Sequence, residues 1–191
     1  MNEKSTTRAE MAVGLIHSPV MSRDGRTVTS SVTSLDVHDM ARLCRTYGAR
    51  TLYVITPLEE QARLVERIIG HWTQGYGAGV NPERKEALGF VKVVDTIEDM
   101  LDNFGLGIEG ALVMATSART GDGVTTYGQA REMLCRAPRA AVLFGTAHGL
   151  APEAMKLANV RLAPIPGVDD YNHLPVRCAA SIIMDRLLGR E

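Results

Sequence analysis

Two short runs constrain this chain more than any other feature: ALVMA at 111–115 and AAVLF at 140–144. Neither contains a polar side chain, so neither can lie with one face in water. Strands buried on both faces have this composition, and they belong to parallel sheets covered by helices on each side. The rest of the chain repeats the pattern. Short β-rich runs predict strands at 11–17, 51–56, 90–94, 111–115, 140–145 and 160–162. Amphipathic stretches predict helices at 36–47, 58–72, 96–104, 127–136, 152–157 and 176–188. Alternation of this kind implies an α/β fold, a mostly parallel sheet flanked by helices. The glycine-rich polar segment TQGYGAGVNPERKEA, 73–87, reads as an exposed loop.

With 191 residues, no linker and no internal repeat, the chain is expected to form a single domain over 1–191, with residues 1–10 as a disordered tail. No apolar run approaches the roughly 20 residues that span a bilayer, and MNEKSTTRAEM lacks the apolar core of a signal peptide. The expected location is the cytoplasm, with no membrane partner. The net charge of −1 argues against a uniformly basic coat for nucleic acid. It leaves room for local basic patches, and arginine is concentrated at Arg23 and Arg26, at Arg42, Arg45 and Arg50, and at Arg131, Arg136 and Arg139. Cys44, Cys135 and Cys178 lie far apart in helical stretches without metal-binding spacing, so buried free thiols and no metal are expected.

In the helix at 36–47, Val37, Met40, Ala41, Cys44 and Tyr47 form the buried face, while His38, Arg42 and Arg45 share another. Asp36 fits an N-cap or first-turn position. In the last helix, Val176, Ala179, Ala180, Ile183, Met184 and Leu187 form one apolar stripe. GLGIEG, 105–110, matches the dinucleotide fingerprint by letter. It follows a helix and leads into a strand, the reverse of what that motif needs. There is no P-loop, no G-x-S-x-G elbow and no H-E-x-x-H pair.

Three glycine-containing loops follow strand ends: TSARTGDG at 116–123, GTAHGL at 145–150 and IPGVDDYNHL at 165–174. Open α/β sheets bind ligands at this edge. His17 ends the first strand at the same edge and reads equally as an active-site or a structural histidine. For Tyr171, Asn172 and His173, hydrogen bonding within the loop competes with ligand contact.

The spacing of these loops resembles motifs two and three of the SpoU branch of the SPOUT class of S-adenosylmethionine-dependent RNA methyltransferases. FGTAHGLAPE is followed by IPGVDDYNHLPVRCAAS, which places Gly145, Ile165 and Leu174 at the separations of that branch. DMARLCR, with TYGARTLYVITP after it, looks like the first motif. The resemblance covers roughly residues 11–189 and implies a C-terminal trefoil knot, S-adenosyl-L-methionine as cofactor, a tRNA or rRNA substrate and a homodimer. It implies that Thr116, Ser117, Ala118, Gly145, Thr146, Gly149, Ile165, Pro166, His173 and Leu174 hold the cofactor. Arg45 would assist methyl transfer, and His38, Arg42, Arg23 and Arg26 would meet RNA. Three positions depart from the pattern: Asp39 replaces an asparagine, Ala147 a glutamate and Pro175 an asparagine. They leave ribose and base methylation both open. They also motivate an alternative, a non-catalytic RNA-binding or scaffolding protein. A nucleotide-binding oxidoreductase is weakened by the misplaced glycine motif.

Overall fold

The computed structural model describes residues 9–121, 123–169 and 171–189. Its strands are β1 (Glu10–Ile16), β2 (Val20–Met21), β3 (Thr27–Val28), β4 (Thr51–Ile55), β5 (Val91–Val94), β6 (Leu112–Ala115), β7 (Arg139–Gly145) and β8 (Val160–Arg161). Its helices are α1 (Ser34–Thr46), α2 (Glu59–Thr73), α3 (Gly77–Val80), α4 (Pro82–Leu88), α5 (Ile97–Phe104), α6 (Tyr127–Leu134), α7 (Pro152–Lys156) and α8 (Val176–Leu188). Six strands form one sheet in the order β5-β4-β1-β7-β6-β8. Every pairing in it is parallel.

Period-two alternation sorts the core into two layers. Met11, Val13 and Leu15 of β1 face Val37, Met40 and Ala41 of α1 and Ile183, Met184 and Leu187 of α8. Ala12 and Ile16 face the other way, toward Ile97 and Met100 of α5 and Ala154 of α7. Both apolar runs of the sequence analysis are therefore covered on each side. From β1 the chain builds outward through β4 to β5, then crosses to build β6, β7 and β8 on the other side. The strand order reverses between β1 and β7, where Ile16 pairs with Gly145 at their carboxyl ends. Open α/β sheets have a crevice for a ligand at such a point.

Several expectations need correction. Segment 73–87 is not an open loop: it contains α3 and most of α4. The Asn81 side chain accepts from the Arg84 N–H, Pro82 occupies the first turn of α4, and Ala87 and Leu88 are buried. Asparagine before proline is a helix-start signal, and the glycines upstream obscured it. The β2–β3 hairpin was not expected at all, because two-residue strands carry almost no periodicity. Cys44 is buried, but Cys135 and Cys178 are exposed. The α1 cap is Thr33, whose hydroxyl accepts from the Asp36 N–H, which places Asp36 in the first turn. Of the tail expected at 1–10, residues 1–8 lie outside the described residues. Ala9 donates to the Leu134 carbonyl, and Glu10 begins β1. Gly105, at φ +67, closes α5 in the left-handed conformation, so GLGIEG is a helix end leading into a strand. Among the described residues, no helix is long and apolar enough to cross a membrane.

Candidate functional site

A cavity of about 1330 Å³ opens at the carboxyl edge of β1, β6 and β7. All three loops singled out from the sequence contribute to it. Thr116, Ser117, Ala118, Gly145, Thr146, Gly149, Ile165, His173 and Leu174 line it, and Pro166 does not. Its volume exceeds the roughly 300–1,000 Å³ of a typical small-ligand site, so it has room for a ligand and a second reactant.

The floor is the β7–α7 connection, and it is tightly built. The Thr146 hydroxyl donates to the Ile16 carbonyl at 2.9 Å and meets the Ser30 hydroxyl. The β2 strand clips the other end of this connection. The Met21 N–H donates to the Gly149 carbonyl at 2.9 Å, and the His148 N–H donates back to the Met21 carbonyl at 3.0 Å. Gly149 turns the chain at φ +98. A Cβ on Gly145 would lie 2.5 Å from the Leu150 nitrogen, so only glycine lets this turn fold back so closely.

One wall is the loop at 165–174, held by fewer hydrogen bonds among its described residues. The Asn172 side-chain amide donates to the Ala118 carbonyl at 3.0 Å, linking two of the three loops. The Tyr171 and His173 rings meet edge to face at 5.4 Å. Loop-internal bonding and cavity lining thus coexist in this segment. Val176, Ala179 and Ile183 of α8 extend the wall as an apolar surface.

The face of α1 assigned to catalysis and RNA does not converge on the cavity. Arg45 does not line it: its Nε donates to Glu86 of α4 at 2.6 Å, and both side chains are more than half exposed. His38 is half-buried edge-on against Trp72 at 5.6 Å. Burial, then the neighbouring Arg84 charge, pushes its pKa down. The Arg84 guanidinium stacks on the same Trp72 at 4.4 Å. Arg42 is exposed beside them. Arg23 and Arg26 lie in the exposed β2–β3 turn, where Arg26 pairs with Asp24 at 2.7 Å. Met21, just before that turn, lines the cavity, and Arg23 and Arg26 do not.

From α1 the cavity receives Asp36, which sequence reasoning had treated as a capping residue. Arg119, Lys156 and Arg161, also not foreseen, bring positive charge to the lining. Arg119 lies within the singled-out loop 116–123, while Lys156 and Arg161 lie within the expected helix at 152–157 and strand at 160–162, where nothing local marked them as cavity residues. His17 is fully buried, and neither ring nitrogen has a hydrogen-bond partner. Burial pushes its pKa down to about 4 against the opposing charge of Asp36, so the ring is neutral at pH 7.

A family model described as SAM-dependent RNA methyltransferase matches residues 10–189. The chain belongs to this family. The chain is 43% identical over 176 residues to a tRNA (guanine-N(1)-)-methyltransferase of Oleidesulfovibrio alaskensis. It is 45% identical over 179 residues to the protein of that name from Nitratidesulfovibrio vulgaris. Each match covers 92% of this chain but 41% of the relative, so the chain spans well under half the length of these proteins. Among solved structures, the SpoU methyltransferase AviRb from Streptomyces viridochromogenes, in complex with the cofactor AdoMet, has a similar fold. The TM-score is 0.58 at 11% identity, covering 95% of this chain and 57% of that one.

The cavity fits S-adenosylmethionine. Gly149 leaves open space where a side chain would stand, while Gly145 lets the floor turn close on itself. Ile165, Leu174 and Ile183 give the cavity an apolar lining against which an adenosine would pack.

Proposed function

We propose that this chain methylates tRNA, with the cofactor bound across the 116–120, 145–149 and 165–174 loops and the acceptor nucleotide entering beside α1. One observation carries the reading: the cavity sits at the strand-order reversal and is larger than a single cofactor needs. The choice of tRNA is supported by the names of the two relatives. More than half of each relative lies outside the match, so the guanine-N1 specificity in their name is not carried over.

The cofactor supplies a methyl already activated on a sulfonium. The residues of this chain then have to align, exclude water and accept a proton. Thr116, Ser117, Ala118, Gly145, Thr146, Gly149, Ile165, His173 and Leu174 would contact the cofactor, and Pro166 would stiffen the start of the wall. Arg23, Arg26 and the α1 face with His38, Arg42 and Arg45 would meet tRNA phosphates outside the cavity. The same reading threads α8 through the loop ahead of it as a trefoil knot. It pairs two copies around the exposed Leu174 wall, and it places the protein in the cytoplasm as a single domain over the family match. The β7 strand inserted between β1 and β6 and the α8 contacts with α1 and α6 support the threading.

The test is transfer of labelled methyl from S-adenosylmethionine to tRNA isolated from cells lacking this gene. Nucleoside mass spectrometry then names the modified atom. Label confined to other RNA species would reject the choice of tRNA, and no label in any RNA would reject the reading. Arg45→Ala should weaken tRNA binding while leaving cofactor affinity unchanged.

A further inference from the structure

Asp36 is the sole carboxylate in the cavity lining among the described residues. It is not a loosely solvated surface acid, since its side chain is 16% exposed. The Thr33 hydroxyl donates to its Oδ2 at 2.6 Å, and Arg177 Nε lies 3.1 Å from its Oδ1. The Arg177–Asp36 contact has ion-pair distance without hydrogen-bond geometry, so Oδ1 keeps a lone pair free. The other end of Arg177, Nη1, donates to Asp39 Oδ2 at 2.9 Å. Arg177 is the second residue of α8, immediately after the loop that forms the cofactor wall. One guanidinium thus ties two carboxylates of α1 to the start of α8. At the far ends of the same helices, the Tyr47 hydroxyl donates to Asp185 at 3.0 Å, so α1 and α8 run side by side in the same direction. Among the described residues, the groups that face Asp36 are Arg177, its shared partner Asp39, and the neutral His17.

Methyl transfer to an N–H or O–H acceptor leaves a surplus proton. The cavity lining provides one carboxylate to take it. We propose that Asp36 is the catalytic residue that holds the proton-bearing group of the acceptor nucleotide and accepts its proton, and that Arg177 is the positioning residue that sets the carboxylate against the cofactor wall. The acceptor's lone pair forms the new bond to the methyl carbon. The electrons of the broken sulfur–methyl bond stay on sulfur, and the acceptor proton passes to Asp36. This assignment rests on the methyltransferase reading above and moves the key α1 residue from the exposed Arg45 to the first turn of the helix, where Asp36 lines the cavity.

The experiment compares wild type, Asp36→Asn, Asp36→Glu, Arg177→Gln and Arg177→Lys. Calorimetry measures S-adenosylmethionine binding. Methyl transfer is followed to total RNA from cells lacking this gene. Asp36→Asn should bind cofactor within about threefold of wild type and transfer methyl roughly 100-fold more slowly, the usual contribution of a positioned acid or base. Its residual rate should rise about tenfold per pH unit between about pH 6 and about pH 9, because hydroxide must replace the carboxylate. The wild-type rate should not rise in this way, and a merely structural role would not produce that slope. Arg177→Gln should lower kcat more than cofactor affinity, and Arg177→Lys should recover part of the loss. Wild-type transfer in Asp36→Asn, or loss of cofactor binding in that variant, overturns the assignment. If Asp36→Asn does not fold, Asp36→Glu decides: it should lose at least about tenfold in rate, and an unchanged rate overturns the proposal. Absence of transfer by the wild type to any RNA overturns the methyltransferase reading itself, and that result is distinguishable from failure of Asp36 alone.

Discussion

The floor and the wall of the cavity are built on different terms. The floor, the 145–151 connection, is clamped from both sides: Thr146 bonds the end of β1, and Met21 and His148 exchange backbone hydrogen bonds. The wall at 165–174 is secured by the Asn172–Ala118 bond and a turn in which the Tyr171 N–H donates to Asp169. Val168 and Tyr171 of the wall are largely exposed, whereas Leu150 and Ala151 of the floor are buried. Few buried contacts and exposed backbone are the features of segments that open at low free-energy cost. The floor is therefore firmly built, and the described part of the wall is the more weakly held half of the cavity. Changes in the floor should cost stability. Changes in the wall should cost affinity alone.

The largest expected effect lies directly under the floor, at His17. Its folded-state pKa of about 4 is below the ordinary 6.5. Between those values the unfolded chain takes a proton that the folded chain refuses. Stability is then constant above about pH 7 and falls as pH drops through 6.5 toward 4, by about 3 kcal/mol at most. Denaturant titrations of wild type and His17→Leu across this window should show the difference in slope. Equal slopes would break the account of a neutral buried ring.

Gly145→Ala comes next. Its new Cβ meets backbone at 2.5 Å, so the floor must move. We expect a loss of about 1–3 kcal/mol in stability and at least a tenfold drop in cofactor affinity by calorimetry. Thr146→Val removes the hydroxyl that bonds Ile16 and should lower stability by about 1 kcal/mol, read by thermal unfolding. The smallest stability effect is expected at the wall. Tyr171→Ala should change unfolding by less than about 0.5 kcal/mol while still shifting cofactor affinity, because the His173 ring loses its edge-to-face partner. A stability loss at Tyr171 as large as that at Gly145 would erase the distinction between the two regions.

Much of the cavity lining was legible in the sequence. The three loops announced themselves by glycine and polar shape chemistry at strand ends, and all three line the cavity. The strand runs were legible because burial on both faces leaves no polar residue to interrupt them. The helices at 73–88 escaped because a four-residue turn rich in glycine has no periodicity to read. The exposure of the free thiols Cys135 and Cys178 escaped because a cysteine near the edge of an apolar stripe looks the same in sequence whether it faces in or out.

Asp36 shows where sequence reading ends. Its first-turn position on α1 was readable, since local spacing sets helix starts. Its presence opposite loops some 80 to 140 residues later, and its tie to Arg177, were not. The sequence by itself determined the elements, the two-faced sheet and the loops at its carboxyl edge, because periodicity and turn chemistry are local. Only the tertiary structure decided that α1 offers the cavity a carboxylate while Arg45 turns to Glu86. The reason is geometric. A helix presents different residues in different directions, and which direction meets the ligand depends on the rotation that packing against β1 and α8 imposes.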